Sequence, residues 1–527
     1  MKTNNSLLSL LFIFLFSALN SLAQSPKNYL VEMHPEFKTD EREIPEQYIG
    51  SNENGHYFLY SKGKFGLGVS SIVKFDTNFE PTKEKIILTA SKENPDDLYD
   101  NPFESIEESL GVIKLNDQLL NITSISTKQN RKFFAKSIDL KNFKITSQKE
   151  IANIEFKGNN VNKSYMSFIV SKDSSSVGLF YTIPTKKKEN QKCSLIVFDK
   201  EFNKINHYNY EFPFVRDQFV IMKGVLLNKD EMLILSADLS KMPANPNSKR
   251  IPDYNYSLHS LKQGKSTLLG KIPNDNKWLN NLNIVVTQSS IKFIGLYSNV
   301  SRFGSNGIFF HQIDRANNKL VIHKLSPFNE ELLDRHAEIS KFQIGYKKRI
   351  KKFKELPYYI PQSTLKYDDG SVLLIAEQVH TITQYVTSYY FENLIALMID
   401  NNGNVQWSKM IKKDNIKTGT WIYSSFVSSK NNDDYLLIFN GISKNKSNNY
   451  SSRFHNSSVN DPEEVLLVVL NKSGTVNKKV IATSADTEGY RIRPALSSLI
   501  KENEILLFSQ KPGNIKNQRF MSLKISE

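Results

Sequence analysis

The chain has 527 residues, of which 39% are hydrophobic and 11% aromatic, with 33 Phe, 23 Tyr and a single cysteine, Cys193. That is ample material for a large core, and one cysteine excludes an intramolecular disulfide framework, so packing must hold the fold. The formal charge of +15 would suit a nucleic-acid binder in the cytosol, but an export signal sets that class aside and leaves a solvated lysine-rich surface or attraction to an anionic lipid, glycan or protein face.

The export signal opens the chain. Lys2 supplies a positive start, and residues 7–19 form an apolar run shorter than the roughly 20 residues a bilayer span needs. Ser21-Leu22-Ala23 places cleavage after Ala23, and Gln24, not Cys, follows, which argues against a lipoprotein anchor. No later stretch is long and apolar enough to cross a membrane as a helix. Residues 24–527 are read as one exported domain, periplasmic or secreted.

Seven times a short apolar run ends in a polar turn and a second strand-like run follows. The turns begin at Asp76, Asp139, Asp199, Lys262, Asp314, Asp400 and Asn471. A unit repeated at this scale sets the architecture. Each unit divides into four strands, A to D. In chain order the segments are 47–50, 57–61, 70–75 and 83–88; 111–115, 118–126, 132–138 and 143–151; 165–170, 176–182, 193–198 and 205–212; 220–225, 231–237, 255–261 and 267–272; 284–287, 291–297, 308–313 and 319–325; 362–366, 371–377, 393–399 and 404–410; and 422–427, 434–439, 465–470 and 475–481. Leu394 to Ile399 is apolar throughout, as a strand buried on both faces should be.

An eighth unit has three strands, 495–500, 504–509 and 520–525, and the unassigned run Tyr29-Leu30-Val31-Glu32-Met33 supplies its fourth. The fold class is therefore all-β: a β-propeller of eight four-stranded blades, closed by an N-terminal strand in the last blade. Seven blades is the alternative if the first or fourth unit is misread.

In such a blade the D–A and B–C connections share one face. The long segments 90–110, 238–254, 326–361, 378–392 and 441–464 are all of these two kinds, so one face carries the long loops, and loops on rigid scaffolds carry function. Segment 326–361 reads as a helical insertion. Asn329 caps it, and Leu332, Leu333, His336 and Ile339 share a face. Tyr346, Ile350 and Phe353 continue the spacing beside a basic face of Lys347, Lys348, Arg349, Lys351, Lys352 and Lys354. These are candidate partner-binding cations; the alternative is a packed helix with solvated lysines. Segment 378–392 adds Tyr385, Tyr389, Tyr390 and Phe391, candidates for a protein hot spot or sugar stacking unless a hairpin buries them. Asp96, Asp97, Asp100, Glu104, Glu107 and Glu108 match no calcium loop and read as an acidic helix start.

Catalytic signatures are missing. The nine His show no i, i+4 pair, and no Gly-x-Ser-x-Gly elbow occurs. Asp400 to Trp407 resembles half of a sialidase box, a lone match in a turn. Carboxylates paired across the funnel would leave no linear trace. No cofactor, metal or catalytic residue is assigned.

Tyr346 to Pro357, Tyr367 to Gln378 and Ile399 to Lys409 resemble a group of exported propeller proteins of Bacteroidota. The likeness covers roughly the C-terminal third of the chain. It implies a Gram-negative envelope setting and no known catalytic residues. The expectation is a non-catalytic interaction propeller, not a homo-oligomer, docking through its long-loop face on an envelope protein such as an outer-membrane β-barrel or secretion translocon. The rival is a glycan-binding or glycan-hydrolysing propeller using the axial funnel.

Overall fold

The computed structural model describes residues 28–526 except 40–42, 65–66, 90–106, 116–117, 127–129, 156–164, 187, 239–254, 302, 340–353, 384–386, 414, 419–421, 442–462 and 502. The signal segment lies outside the described residues.

Eight antiparallel sheets, each four strands deep, follow one another along the chain as the blades of a propeller. Blade 1 runs Glu43–Asn52, Gly55–Lys64, Leu67–Phe75 and Pro81–Ile87. Blade 6 runs Tyr359–Lys366, Val372–Thr383, Thr387–Ile399 and Val405–Ile411. In blade 8 the strand Asn28–Lys38 pairs antiparallel with Asn514–Ser526, with Tyr29 opposite Ile525 and Met33 opposite Met521. The expected closure is therefore present, and the seven-blade alternative falls.

The core is eight apolar clusters, each shared by two neighbouring blades. Clusters join blades 1 and 2, 2 and 3, 3 and 4, 4 and 5, 5 and 6, 6 and 7, and 7 and 8. The eighth joins blades 8 and 1, where Phe520 lies 4.7 Å from Phe58, 5.1 Å from Phe75 and 5.3 Å from Phe37. Strand alternation distributes each blade between two clusters. Val372, Leu374 and Ala376 face blade 5, whereas Leu373 and Ile375 face blade 7. This explains why the middle strands lack polar alternation.

The polar turns are set by side-chain to backbone bonds. Asp76, Asp139, Asp199, Asp314 and Asp400 each accept from the backbone N–H two residues on, at 2.9, 2.8, 3.0, 2.7 and 2.8 Å. A left-handed residue follows. In blades 1, 2 and 3 it is a buried phenylalanine, Phe79 (φ 64°), Phe143 (φ 46°) or Phe202 (φ 56°), whose ring enters the interface with the preceding blade. In blades 6 and 7 it is Gly403 or Gly474, and the preceding blade supplies the ring. A Cβ there would meet Phe310 at 2.7 Å or Trp407 at 2.9 Å. Trp407, the tryptophan of the sialidase-like match, is thus an interblade wedge, and its indole donates to the Lys472 carbonyl at 3.0 Å.

Several boundaries differ from expectation. The first strand of blade 7 is Val427–Asn431, not 422–427. Residues just before it are held out of the ladder: Ser425 has φ 69°, and the Tyr423 carbonyl accepts from Asn440 at 2.8 Å. The first strand of blade 8 is not continuous over 495–500. It is two pieces, Arg491–Ile492 and Ser498–Lys501, around a tight turn at Pro494–Leu496, because Pro494 has no N–H for a ladder. Glu107 and Glu108 do not start a helix. They pair with Ile125 and Ser124 in the strand Glu107–Leu115. The other four acidic residues of that segment lie outside the described residues.

The inserted helix is Glu330–Ile339, and Asn329 caps it by accepting from the Leu332 N–H at 2.9 Å. Leu332 and Leu333 pack into the interface of blades 5 and 6, and His336 is buried. Lys354 does not continue a basic helix: its φ is 49°, and its ammonium contacts Glu330 at 2.6 Å.

If Asn28–Lys38 closes the ring, a chain lacking residues 28–38 leaves Asn514–Ser526 as an open edge and strips Tyr29, Val31 and Met33 from the last interface. Thermal denaturation should show a lower midpoint, and size-exclusion chromatography should show concentration-dependent association.

Candidate functional site

On the long-loop face of blades 5 to 8, each second strand carries a buried polar residue, at its end or, in blade 6, at a register shift, that grips the irregular chain entering a first strand. Ser298 donates to Glu355 at 2.7 Å. Glu377 accepts from Lys413 at 2.7 Å and from the Ser425 hydroxyl at 2.7 Å. Asn440 bonds the backbone of Ile492 in both directions, at 2.8 and 3.0 Å. Gln510 accepts from Arg493 at 3.3 Å. The Glu377 and Lys413 side chains are both 0% exposed, and Lys413 also donates to the Phe391 carbonyl at 3.1 Å. Burial lowers the Lys413 ammonium from its usual range, opposed by the Glu377 carboxylate. Such a pair holds geometry more than it adds net stability.

The same face carries a ridge of four rings, of which Tyr358, His380 and Tyr390 are stacked and Phe303 is tilted by 43°. Phe303 and Tyr358 are 5.8 Å apart, Tyr358 and His380 5.2 Å, and His380 and Tyr390 4.3 Å with planes inclined by only 12°. Three elements converge to build it. Phe303 and Tyr358 flank a two-stranded ribbon in which Gly304 pairs with Pro357 and Ser305 with Leu356. His380 and Tyr390 face each other in a hairpin continuing blade 6 to Thr383 and Thr387. The strand Asn415–Thr418 pairs with the outer side of that hairpin, from Ser388 to Phe391. Tyr358 takes φ 61°, a costly conformation for a bulky residue; its N–H donates to Phe303 at 2.6 Å and its carbonyl accepts from Val379 at 2.9 Å. Gly304 is required, since a Cβ would fall 1.1 Å from the Glu355 carboxylate. Phe303 is 42% exposed, and Ile382 near the hairpin tip 41%. Tyr358, His380, Tyr389 and Tyr390 are half-buried.

Of the residues expected to bind a partner, Tyr389 and Tyr390 lie in this hairpin, so segment 378–392 is largely a ladder and not an open loop. Tyr385, Lys347, Lys348, Arg349, Lys351 and Lys352 lie outside the described residues. Phe303, Tyr358 and His380 were not expected at the site. They come from separate blades and linkers, so no linear spacing announces them. Among the described residues no group of three His, Cys, Asp or Glu is placed to hold a metal ion, and no helix is long and apolar enough to cross a membrane.

Burial sets the titration of the face. It lowers His380 to about 4 and His336, beside Tyr359, also to about 4. Burial, then Glu392, raises the Tyr390 phenol. Burial thus favours the neutral forms of His380 and Tyr390.

No protein-family model matches the sequence, and no curated protein matches it. Solved structures with a similar trace include the Dos1 propeller (9% identity, TM-score 0.47, covering 93% of this chain and 95% of that one). The WD40 domain of SCAP from fission yeast is similar at 8% identity and TM-score 0.39, covering 94% and 98%. The polysaccharide lyase Uly1 is similar at 8% identity and TM-score 0.34, covering 94% and 99%. The fold assignment rests on this chain's own strand pairing.

Two outcomes follow from the buried groups. Lys413→Met strands the Glu377 carboxylate and should cost about 3–5 kcal/mol by chemical denaturation, whereas Glu377→Met with Lys413→Met should recover most of it. Separately, His56, His259, His311, His336 and His380 are each lowered to about 4 by burial. The folded state binds fewer protons than an unfolded chain with histidines near ~6.5. Their contribution is thus full above pH 6.5 and is lost as pH falls through about 4. The denaturation midpoint should fall across that window, and less so in His380→Phe.

Proposed function

We propose that the protein is a non-catalytic interaction propeller of a Gram-negative cell envelope, docking on a protein partner through its long-loop face. The observation that carries this reading is the Phe303–Tyr358–His380–Tyr390 ridge, whose end ring Phe303 is exposed, as is Ile382 near the hairpin tip. Aromatic side chains fixed in advance lose little entropy on docking and make interface hot spots. The inner rings spend their faces on each other. A sugar needs an open ring face, so the stacking favours a protein partner over a glycan. The glycan-cleaving alternative asks for two carboxylates across the funnel; the axial cavity is lined instead by lysine, amide and hydroxyl side chains with apolar backbone neighbours.

The export signal and the resemblance to Bacteroidota proteins support a periplasmic setting. An outer-membrane β-barrel or secretion translocon is the partner class this reading names. The test is co-purification from detergent-solubilised envelope. A stoichiometric barrel protein should accompany the wild-type chain and be lost from Phe303→Ala with Tyr390→Ala, both variants retaining the wild-type β circular dichroism. No partner, or one retained by that double variant, would sink the reading. Replacing Lys347, Lys348, Lys351 and Lys352 by Glu tests the basic segment separately: unchanged co-purification removes it from the interface.

A further inference from the structure

The ring encloses a second feature, on its axis and apart from the long-loop ridge. A cavity of about 460 Å³ is lined by first strands and turns of blades 3 to 6, with Lys172, Lys223 and Lys366 among Asn283, Gln362 and Thr364. Its lining holds three cations and no carboxylate. None of the three lysines is ion-paired among the described residues. Lys172 spends one donor on the Val286 carbonyl at 3.3 Å. Acidic residues next to these elements in the chain are engaged elsewhere: Asp369 pairs with Lys472 at 2.7 Å. Asp173 accepts from Ser171 at 2.5 Å and from the Ser175 hydroxyl at 2.8 Å, and Glu231 faces Arg315 at 3.7 Å.

Backbone irregularities aim these side chains. The ladders of blades 4, 5 and 6 break register between Ile221 and Lys223, between Asn280 and Asn283, and between Pro361 and Ser363. Lys223, Asn283, Gln362 and Ser363 sit at those breaks, and a bulge redirects a side chain that a regular strand would send into a blade interface. The Asn283 amide donates to the Thr364 hydroxyl at 2.8 Å, tying two of the walls together. All three lysines reach solvent, and like charges gathered on one wall repel one another and attract a counter-ion. Consistently, burial and then Lys366 and Arg315 lower the Lys172 ammonium.

We propose that this axial cavity binds a small multivalent oxyanion, a molecule carrying two or more phosphate or carboxylate groups. The volume suits a small molecule, three cations on different blades suit several negative groups at once, and amide and hydroxyl donors complete the shell.

Isothermal titration of the mature full chain with pyrophosphate, and separately with citrate, tests this. Saturable 1:1 binding of at least one is expected. It should weaken about tenfold or more in each of Lys172→Gln, Lys223→Gln and Lys366→Gln, and remain unchanged in Lys144→Gln on the outer strand of blade 2. Pyrophosphate alone binding identifies a phosphate ligand, and citrate alone a carboxylate ligand. The ligand-free variants should melt no lower than wild type, since they remove like-charge repulsion; if one of them does not fold, the other two decide. No saturable binding of either probe at millimolar concentration, or binding unaffected by the three substitutions, overturns the proposal.

Discussion

Every blade in this protein is a sheet buried on both faces, and that constraint orders the rest. A sheet with two apolar faces is stable only between two neighbours, so a row of such sheets must close. The closure is the pairing of Asn28–Lys38 with Asn514–Ser526, where Phe37, Phe58, Phe75 and Phe520 form one aromatic packing unit. A buried phenylalanine contributes roughly 1.5–3 kcal/mol, so the junction of blades 8 and 1 is packed by the same kind of apolar contact as the others. The polar turns obey the same constraint. Whether the left-handed residue is Phe79 or Gly474, one ring fills the space between adjacent blades, contributed from one side or the other.

This is why the architecture was legible in the sequence. Aspartates that accept from their own turns recur because each third strand must reverse, and unbroken apolar runs such as Leu394 to Ile399 recur because both faces are buried. The inner strands were less legible. They line the axis and carry bulges; in blade 7 the strand begins only at Val427, beyond Tyr423, whose carbonyl Asn440 holds, and in blade 8 it is split at Pro494. A polar residue after an apolar run looks in sequence like the start of a loop, whether it is solvated or, like Glu377, buried against Lys413 within a continuing strand.

The site was legible only in part, for a related reason. Tyr389 and Tyr390 stood out as aromatics in a long connection. What makes them a ridge is His380 across the hairpin and Tyr358 and Phe303 from another ribbon, contacts that depend on register and on ring closure. The axial lysines illustrate the same limit. Lys172, Lys223 and Lys366 are ordinary surface lysines by sequence, and only the arrangement of four blades brings them to one cavity.

The two features divide the molecule by mechanical character. The ridge is fixed by its backbone: a left-handed tyrosine persists only where the surroundings over-determine it, and Gly304 lets the ribbon lie against the Glu355 carboxylate. Strain of that kind is retained when the position of the ring matters, and a ring placed in advance docks without the ordering cost that a loop of free tyrosines would carry. The lysines are the opposite case, long flexible chains whose charge, not position, is conserved by the geometry around them. A face that presents fixed rings recognises shape, and a cavity that gathers mobile cations recognises charge. The ridge proposed to dock a partner and the cavity proposed to take a small anion share no residues, so a substitution in one leaves the other intact.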